Sequence, residues 1–295
     1  MSGLKDAARL LGYFIATAVV GALIAPGLFW AAHAAAAHGI FPPLAKYDFE
    51  SFFHRALLIA AIAFLWPLLR SLRIRTRDDL GLERNRSWLG DVVAGFCLAA
   101  IPLLFTATGL ITSHAYYLKP GGASKGLGTV VVAALIVPLI EEALFRGVFF
   151  AVLARLGERT GALLTSALFS ILHFLKAPAG TSADPTWYSG FISIAHAFDG
   201  FRNRTMVLAS FCTLFLIGCV LVHARIRTKS LWLPIGLHSG WILVAGVFGK
   251  FAKQRGVAEP WIGSNLLIGL VPLLTVAATW LLMIAWFRYA RTRAA

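Results

Sequence analysis

Eight long apolar stretches constrain the fold of this chain more than any other feature. A helix needs roughly 20 mostly apolar residues to cross the hydrocarbon core of a bilayer, and the fifth stretch is the shortest of the eight. The stretches cover residues 8–32, 51–70, 88–111, 129–155, 160–175, 206–224, 231–249 and 262–287. Because 59% of all residues are hydrophobic and 14% are charged, a soluble globular domain is excluded. We predict an all-α polytopic transmembrane helix bundle of about eight spans, forming one integral membrane domain over residues 1–295.

The net charge of +14 reflects membrane topology and does not indicate a nucleic-acid partner, since the basic residues lie at the ends of the spans. With the N-terminus inside, sixteen Lys and Arg fall on the inner side and ten on the outer side. This bias predicts a multi-pass protein of the cell (inner) membrane with both termini in the cytoplasm. The first apolar run is too long for a cleavable signal, so we expect the N-terminus to be retained.

One outer loop is long enough to carry structure of its own. Residues 176–204 contain "DPTWYSGFISIAHAF", whose aromatic side chains suit the headgroup level of a membrane. We predict that this loop insertion forms a short interfacial or re-entrant segment, and we assign His196 to the interface.

The fourth stretch contains "IEEALFRG", which places three ionisable side chains inside a membrane span. Each charge at the bilayer centre costs roughly 2.5–3.5 kcal/mol, so these side chains must face protein or water. Glu142 and Arg146 are four residues apart, with the acid first, as in a favourable helical ion pair. Glu141 points away from both of these side chains, so it is the carboxylate that is available for acid–base chemistry. Pro138 releases a backbone carbonyl and opens space that water can fill.

Two histidines lie at depths that suit the same site. His173 occurs in "FSILHF", one turn after Phe169, and His238 occurs in "LPIGLHSGW". A rise of about 1.5 Å per residue puts Glu141 and His173 roughly 20 Å, and His238 roughly 10 Å, from the inner side. We predict that the three side chains converge in a conical, partly open cavity in the cytoplasmic half. The remaining histidines lie at span ends or in loops and receive no role: His33, His38, His54, His114 and His223.

Three motifs of this sequence resemble the signatures of one known family. "EEALFR" matches the EExxxR signature, "FSILH" matches FxxxH, and "HSGWI" occupies the place of HxxxN in the CAAX protease and bacteriocin-processing (CPBP) family, which includes the type II CAAX prenyl proteases. "SLWLPIGLH" and the "DDLGL" before the third span also look like that family. The resemblance covers roughly residues 80–245, which we take as the catalytic core.

The resemblance implies an intramembrane peptidase with an eight-helix core, which cuts membrane-associated peptides or proteins near the cytoplasmic side of the bilayer. By its motifs, Glu141 would activate the attacking water, and Glu142 and Arg146 would brace the site. His173 and His238 would stabilise the oxyanion or ligate a metal.

Ile242 departs from the family pattern, because it stands where the family has asparagine. An isoleucine side chain cannot donate a hydrogen bond, and the loss of one oxyanion donor costs roughly 100-fold to 1000-fold in rate. Either Ser239 or Trp241 supplies a substitute donor, or the enzyme is slow or inactive.

Two mechanisms fit one carboxylate and two imidazoles. In the first, Glu141, His173 and His238 bind Zn²⁺, which lowers the pKa of its bound water. In the second, no metal is bound, Glu141 polarises the water and the histidines act as electrophiles. Serine chemistry is disfavoured, because the chain has no GxSxG motif and Ser170 is explained by helix packing.

Two functions of other classes stay open. Buried acids and histidines also form proton relays in transporters, but we find no internal repeat, and the acids cluster in a single helix. A non-catalytic membrane scaffold or immunity protein is the other alternative, and Ile242 favours it.

Overall fold

Helices make up nearly all of the regular structure. The computed structural model describes residues 2–83, 87–120, 126–175, 177–199, 204–256, 260–263 and 266–294. The α-helices of these residues are α1 (Ser2–Ala37), α2 (Phe49–Ser71), α3 (Trp88–Thr112), α4 (Leu127–Glu142), α5 (Phe150–Leu153), α6 (Glu158–Phe174), α7 (Ser189–His196), α8 (Arg204–Thr228), α9 (Trp232–Phe251) and α10 (Leu270–Ala294). A π-helix (Ala143–Phe149) joins α4 to α5, and short 3₁₀ turns span Pro42–Lys46 and Ala154–Leu156. The predicted all-α class is confirmed.

Seven helical segments of the described residues are long and apolar enough to cross a membrane. They coincide with seven of the eight predicted stretches, and the segment Leu127–Leu156 joins α4, the π-helix and α5 into one. The predicted fifth span corresponds to α6, which has 17 residues and a rise of about 25 Å. The polytopic helical architecture is therefore confirmed, while α6 is not among the seven segments, and its crossing stays a prediction.

The chain divides into two compact units. The first unit contains Met1–Arg75 and Ile171–Asn203, and the second contains Thr76–Ser170 and Arg204–Ala295.

The first unit is built on the hairpin of α1 and α2. Its buried core consists of Ala22, Ala25, Phe49, Phe53, Ala56 and Ala177. The buried carboxylate of Glu50 accepts hydrogen bonds from the backbone N–H groups of Gly180 (3.0 Å) and Ser182 (2.9 Å). The described part of the loop insertion, residues 177–199, contains a short helix, α7, whose Gly190 lies against the backbone of Ala22. The interfacial or re-entrant placement of this segment stays a prediction. These contacts hold the insertion on the hairpin within this unit.

In the second unit, α3 and α9 pack side by side and run parallel. Their first residues, Trp88 and Trp232, have ring centroids 5.2 Å apart. Beyond their other ends, strands β1 (Tyr116–Leu118) and β2 (Ala252–Gln254) form an antiparallel pair. The two helices therefore begin at one end of the unit and finish at the other.

Glycines let the α3 and α9 backbones approach each other closely. A Cβ atom on Gly236 would overlap the carbonyl oxygen of Val92, and a Cβ atom on Gly240 would lie 2.6 Å from the carbonyl oxygen of Phe96. Small residues four apart are a common contact between membrane helices, because association there depends on close van der Waals packing. The segment "GLHSG" is therefore a packing motif as well as the carrier of His238.

We expect Gly236→Ala to destabilise the protein. The added methyl group forces α3 and α9 apart, and overpacking of this kind typically costs about 1–3 kcal/mol. Gly249→Ala is the matched control in the same helix, since no atom lies within 4 Å of its added Cβ. Thermal unfolding in detergent measures both variants, and an equal midpoint for the two would contradict the packing role.

Candidate active site

The fourth span changes its helical type at the predicted site. α4 includes the buried Pro138 and ends at Glu142, and the next seven residues form the π-helix. After it, the N–H of Phe150 donates to the carbonyl of Phe145, five residues back. Pro138 has no N–H and so removes one bond from the α-helical ladder. Single π turns are rare and occur frequently at functional sites.

Glu142 and Arg146 form the predicted ion pair. Nη1 of Arg146 donates to Oε1 of Glu142 over 3.0 Å, and both side chains are 0% exposed. A lone charge in this position would be strongly unfavourable, whereas an opposite charge in hydrogen-bonding contact compensates much of the cost. The pair thus allows two charges to lie inside the helical bundle.

His238 of α9 joins the ion pair to Glu141. Its Nδ1 lies 2.8 Å from Oε1 of Glu142, and its Nε2 lies 3.9 Å from Oε2 of Glu141. In its ion pair with Arg146, the Glu142 carboxylate acts as a hydrogen-bond acceptor. Nδ1 is therefore the protonated nitrogen, and in the neutral ring the lone pair of Nε2 is directed to the side of Glu141.

The two adjacent glutamates lie in different surroundings. Glu142 is fully buried, while the side chain of Glu141 is 28% exposed. Neighbouring residues of a helix project about 100° apart, so one carboxylate points into the bundle and the other toward its accessible side. Glu141 is accordingly the more accessible of the two carboxylates, although its Oε2 atom itself is buried.

The place of His238 depends on the glycine contacts described above. His238 lies between Gly236 and Gly240, both of which press against α3, and its ring is 8% exposed. The sequence analysis identified the histidine and missed this packing motif. The signal was available, because "GLHSG" has the GxxxG spacing.

Phe169 of α6 packs on both Arg146 and His238. Its ring lies 4.5 Å from the guanidinium carbon of Arg146 and has its centroid 6.0 Å from that of the His238 ring, edge to face. It also meets Phe145 edge to face at 5.1 Å. A cation over an aromatic face is attracted by the ring quadrupole. Phe169, the first residue of the FxxxH motif, is thus a bracing residue that the sequence analysis used only to orient the helix.

His173 follows Phe169 by one turn of α6 and belongs to the first compact unit. Glu141, Glu142 and His238 belong to the second. The role of His173 in the site stays a prediction.

Several polar atoms around the site are buried and have no hydrogen-bond partner among the described residues. They are Oε2 of Glu142, Nε and Nη2 of Arg146, and Nε1 of Trp241. A buried polar group left without a partner costs about 1–3 kcal/mol. These atoms have unused hydrogen-bonding capacity, and none of them has surface open to solvent.

The described residues do not provide the donor set of a metal centre. No group of three or more His, Cys, Asp or Glu side chains in this part of the chain is placed to hold a metal ion. We therefore derive no step through a metal. Zn²⁺ binding by Glu141, His173 and His238 stays a prediction.

Comparison with known proteins identifies the region that carries the site. Residues 123–244 match the family model described as type II CAAX prenyl endopeptidase Rce1-like. This match contains all five predicted site residues and confirms the suspected relationship to the CPBP proteases over this part of the chain. No curated protein and no solved structure matched the chain.

We expect Arg146→Met to destabilise the protein by about 3–5 kcal/mol, because it leaves the Glu142 charge buried without its cation. The double variant Glu142→Gln/Arg146→Met removes both charges, so it should lose much less than the two single variants together. Chemical unfolding in detergent gives the three free energies. Additive losses would show that the two side chains are not coupled.

Proposed function

We propose that this protein, through its Rce1-like domain at residues 123–244, is an intramembrane endopeptidase that hydrolyses peptide bonds of membrane-associated substrates with a glutamate-activated water. The matched family supports a membrane peptidase in general. The observation that best supports this chemistry is the position of His238, whose ring nitrogens lie 2.8 Å from Glu142 and 3.9 Å from Glu141.

In the proposed active state, one water molecule enters between Glu141 and His238, which requires a small displacement of the buried Oε2 atom of Glu141. A water oxygen at a normal hydrogen-bond distance of about 2.8 Å from each atom can bridge Oε2 of Glu141 and Nε2 of His238, which are 3.9 Å apart. Both atoms accept hydrogen bonds, so they orient the two water hydrogens and leave an oxygen lone pair for attack.

In the proposed reaction, the water oxygen bonds to the scissile carbonyl carbon while Glu141 takes a proton from it. The carbonyl oxygen becomes an oxyanion. When the tetrahedral intermediate collapses, the carbon–nitrogen bond breaks, and Glu141 returns its proton to the leaving amine. Glu142 holds the His238 ring in one tautomer throughout, and Arg146 keeps Glu142 ionised.

The oxyanion requires a hydrogen-bond donor, and Ile242 cannot supply one. Of the two local candidates, Trp241 has a buried indole N–H without an acceptor among the described residues, and it follows His238 by three residues on the same helix face. We therefore assign the substitute role to Trp241 in preference to Ser239. His173 is the second proposed donor.

The parallel packing of α3 and α9 supports the proposed orientation of the chain. Every crossing reverses the side of the membrane, so two parallel helices need an odd number of crossings between them. Between α3 and α9 lie the span Leu127–Leu156, α6 and α8, which give an odd number only when α6 also crosses. Eight crossings then place both termini on one side, which the Lys and Arg bias assigns to the cytoplasm.

Glu141→Gln should abolish cleavage while the fold is kept. The amide cannot take a proton from water, and general base catalysis contributes typically about 100-fold to 10,000-fold. The assay uses purified protein in lipid vesicles with a library of membrane-tethered peptides, both prenylated and unmodified. Metal content is measured on the same samples.

Glu158→Gln is the matched control, since Glu158 is exposed in the first turn of α6. It should cleave at the wild-type rate. An active Glu141→Gln variant would overturn the proposed mechanism.

Trp241→Phe should lower the rate of cleavage by about 100-fold to 1000-fold, the usual effect of losing one oxyanion donor. The phenyl ring is smaller than the fully buried indole and leaves a cavity, so thermal unfolding is measured on the same samples to separate a loss of stability from a loss of rate. Ser239→Ala provides the comparison. If Ser239→Ala loses activity and Trp241→Phe does not, the donor is Ser239.

The second candidate function is a non-catalytic membrane scaffold, which Ile242 favours because it removes a donor that the family motif contains. A scaffold would cut no member of the peptide library, and Glu141→Gln would still support its partner in cells. A peptidase gives the opposite result in both tests.

A further inference from the structure

The loop of residues 76–83, which contains "DDLGL", has a defined shape of its own. The backbone N–H of Thr76 donates to Oδ2 of Asp79 (2.9 Å), and the N–H of Asp79 donates to the Thr76 hydroxyl (3.2 Å). The carbonyl of Arg77 accepts from the N–H groups of Leu80 (3.1 Å) and Leu82 (2.9 Å). These bonds fix a compact turn outside the matched family region.

This loop is bonded to the start of α9. The carbonyl of Gly81 accepts from the N–H of Leu231 over 2.9 Å, and the carbonyl of Glu83 accepts from Nε1 of Trp232 over 2.8 Å. Backbone N–H groups at the start of a helix have no partner within the helix. The loop therefore satisfies a donor that would otherwise be unpaired, and it adds an indole bond.

The same loop rests on the π-helix. A Cβ atom on Gly147 would lie 3.2 Å from Cδ2 and 3.3 Å from the carbonyl oxygen of Leu80. Gly147 directly follows Arg146, so Leu80 contacts the segment that holds the buried cation. The absence of a side chain at Gly147 makes this approach possible.

Gly81 links the loop to a third helix. Its φ of +76° is unfavourable for residues with a side chain, and a Cβ atom there would lie 2.7 Å from the guanidinium carbon of Arg225 in α8. Glycine adopts this φ at no steric cost, and its lack of a side chain leaves room for the guanidinium. The turn thus contacts α8 as well as α9 and the π-helix.

We propose that the loop of residues 76–83 is a positioning element of the active site, which sets the distance between the π-helix and α9. Leu231 precedes His238 by seven residues, which places both on one face of α9. The loop therefore holds the helix of His238 at one contact and the neighbour of Arg146 at another.

This inference rests on the proposed function. The distance that the loop would control is the 3.9 Å separation of Glu141 Oε2 and His238 Nε2, where the proposed reaction takes place. A displacement of about 1 Å in a reacting constellation can cost about 100-fold in rate. A small shift of α9 would therefore reduce turnover without unfolding the protein.

The test uses Trp232→Phe, which removes the indole bond to the loop and keeps an aromatic ring beside Trp88. Trp280→Phe is the matched control in the same unit, since it removes the 2.6 Å bond from the Trp280 indole to Nδ1 of His223. Leu80→Ala removes the side-chain contact with Gly147 and serves as the second loop variant.

Two readouts are measured on each variant. The first is cleavage of the library peptide that the wild type cuts best, and we expect a fall in kcat of about tenfold or more with KM nearly unchanged. The second is the ¹⁵N NMR signal of the His238 ring, assigned by its loss in His238→Gln, which reports the bond to Glu142. Both loop variants should shift this signal, and Trp280→Phe should leave it in place.

The outcomes separate this inference from the proposed function. If the wild type cuts no peptide, the proposed function fails, and the NMR signal still tests the loop. A His238 signal and a kcat that stay unchanged in both loop variants would overturn the positioning role. Equal losses in Trp232→Phe and Trp280→Phe would overturn it as well, because they would indicate a general loss of stability.

Discussion

The buried ion pair of Glu142 and Arg146 is the interaction on which the rest of the site depends. Two charges inside a membrane span are tolerated only when they compensate each other and face protein. Both side chains are fully buried at 3.0 Å, and the surrounding groups follow from this pairing. Phe169 covers the cation, and His238 binds the same carboxylate oxygen. The ion pair therefore fixes the orientation of the imidazole.

The sequence predicted the features that depend on local spacing. The all-α fold follows from the length of the apolar stretches, and the ion pair follows from the i, i+4 relation of Glu142 and Arg146. Each of these rests on contacts within a single segment, where helix geometry alone fixes which side chains meet.

Features that depend on packing between distant segments were not predictable in the same way. The bond between His238 and Glu142 joins residues 96 positions apart, and its length depends on how closely α9 approaches its neighbours. The sequence analysis expected His238 beside Glu141, and the structure also bonds it to Glu142. The π-helix gives no periodic signal, because the span is apolar on nearly all faces and a shift of helical phase leaves its hydrophobic pattern unchanged in appearance. The loop of residues 76–83 was noted only as part of the family resemblance, because a turn gives no indication of which helices it contacts.

The arrangement explains why two glutamates must be adjacent. Neighbouring helical residues project about 100° apart, so Glu142 reaches the buried Arg146 while Glu141 reaches the accessible side. The His238 ring lies between the two, because its nitrogens lie on different edges of one rigid plane: Nδ1 bonds to Glu142 at 2.8 Å, and Nε2 faces Glu141 at 3.9 Å. Exchange of the two glutamates' roles would require the buried one to meet water. A single glutamate could not both compensate the arginine and activate a water, because one carboxylate cannot be both fully buried and accessible.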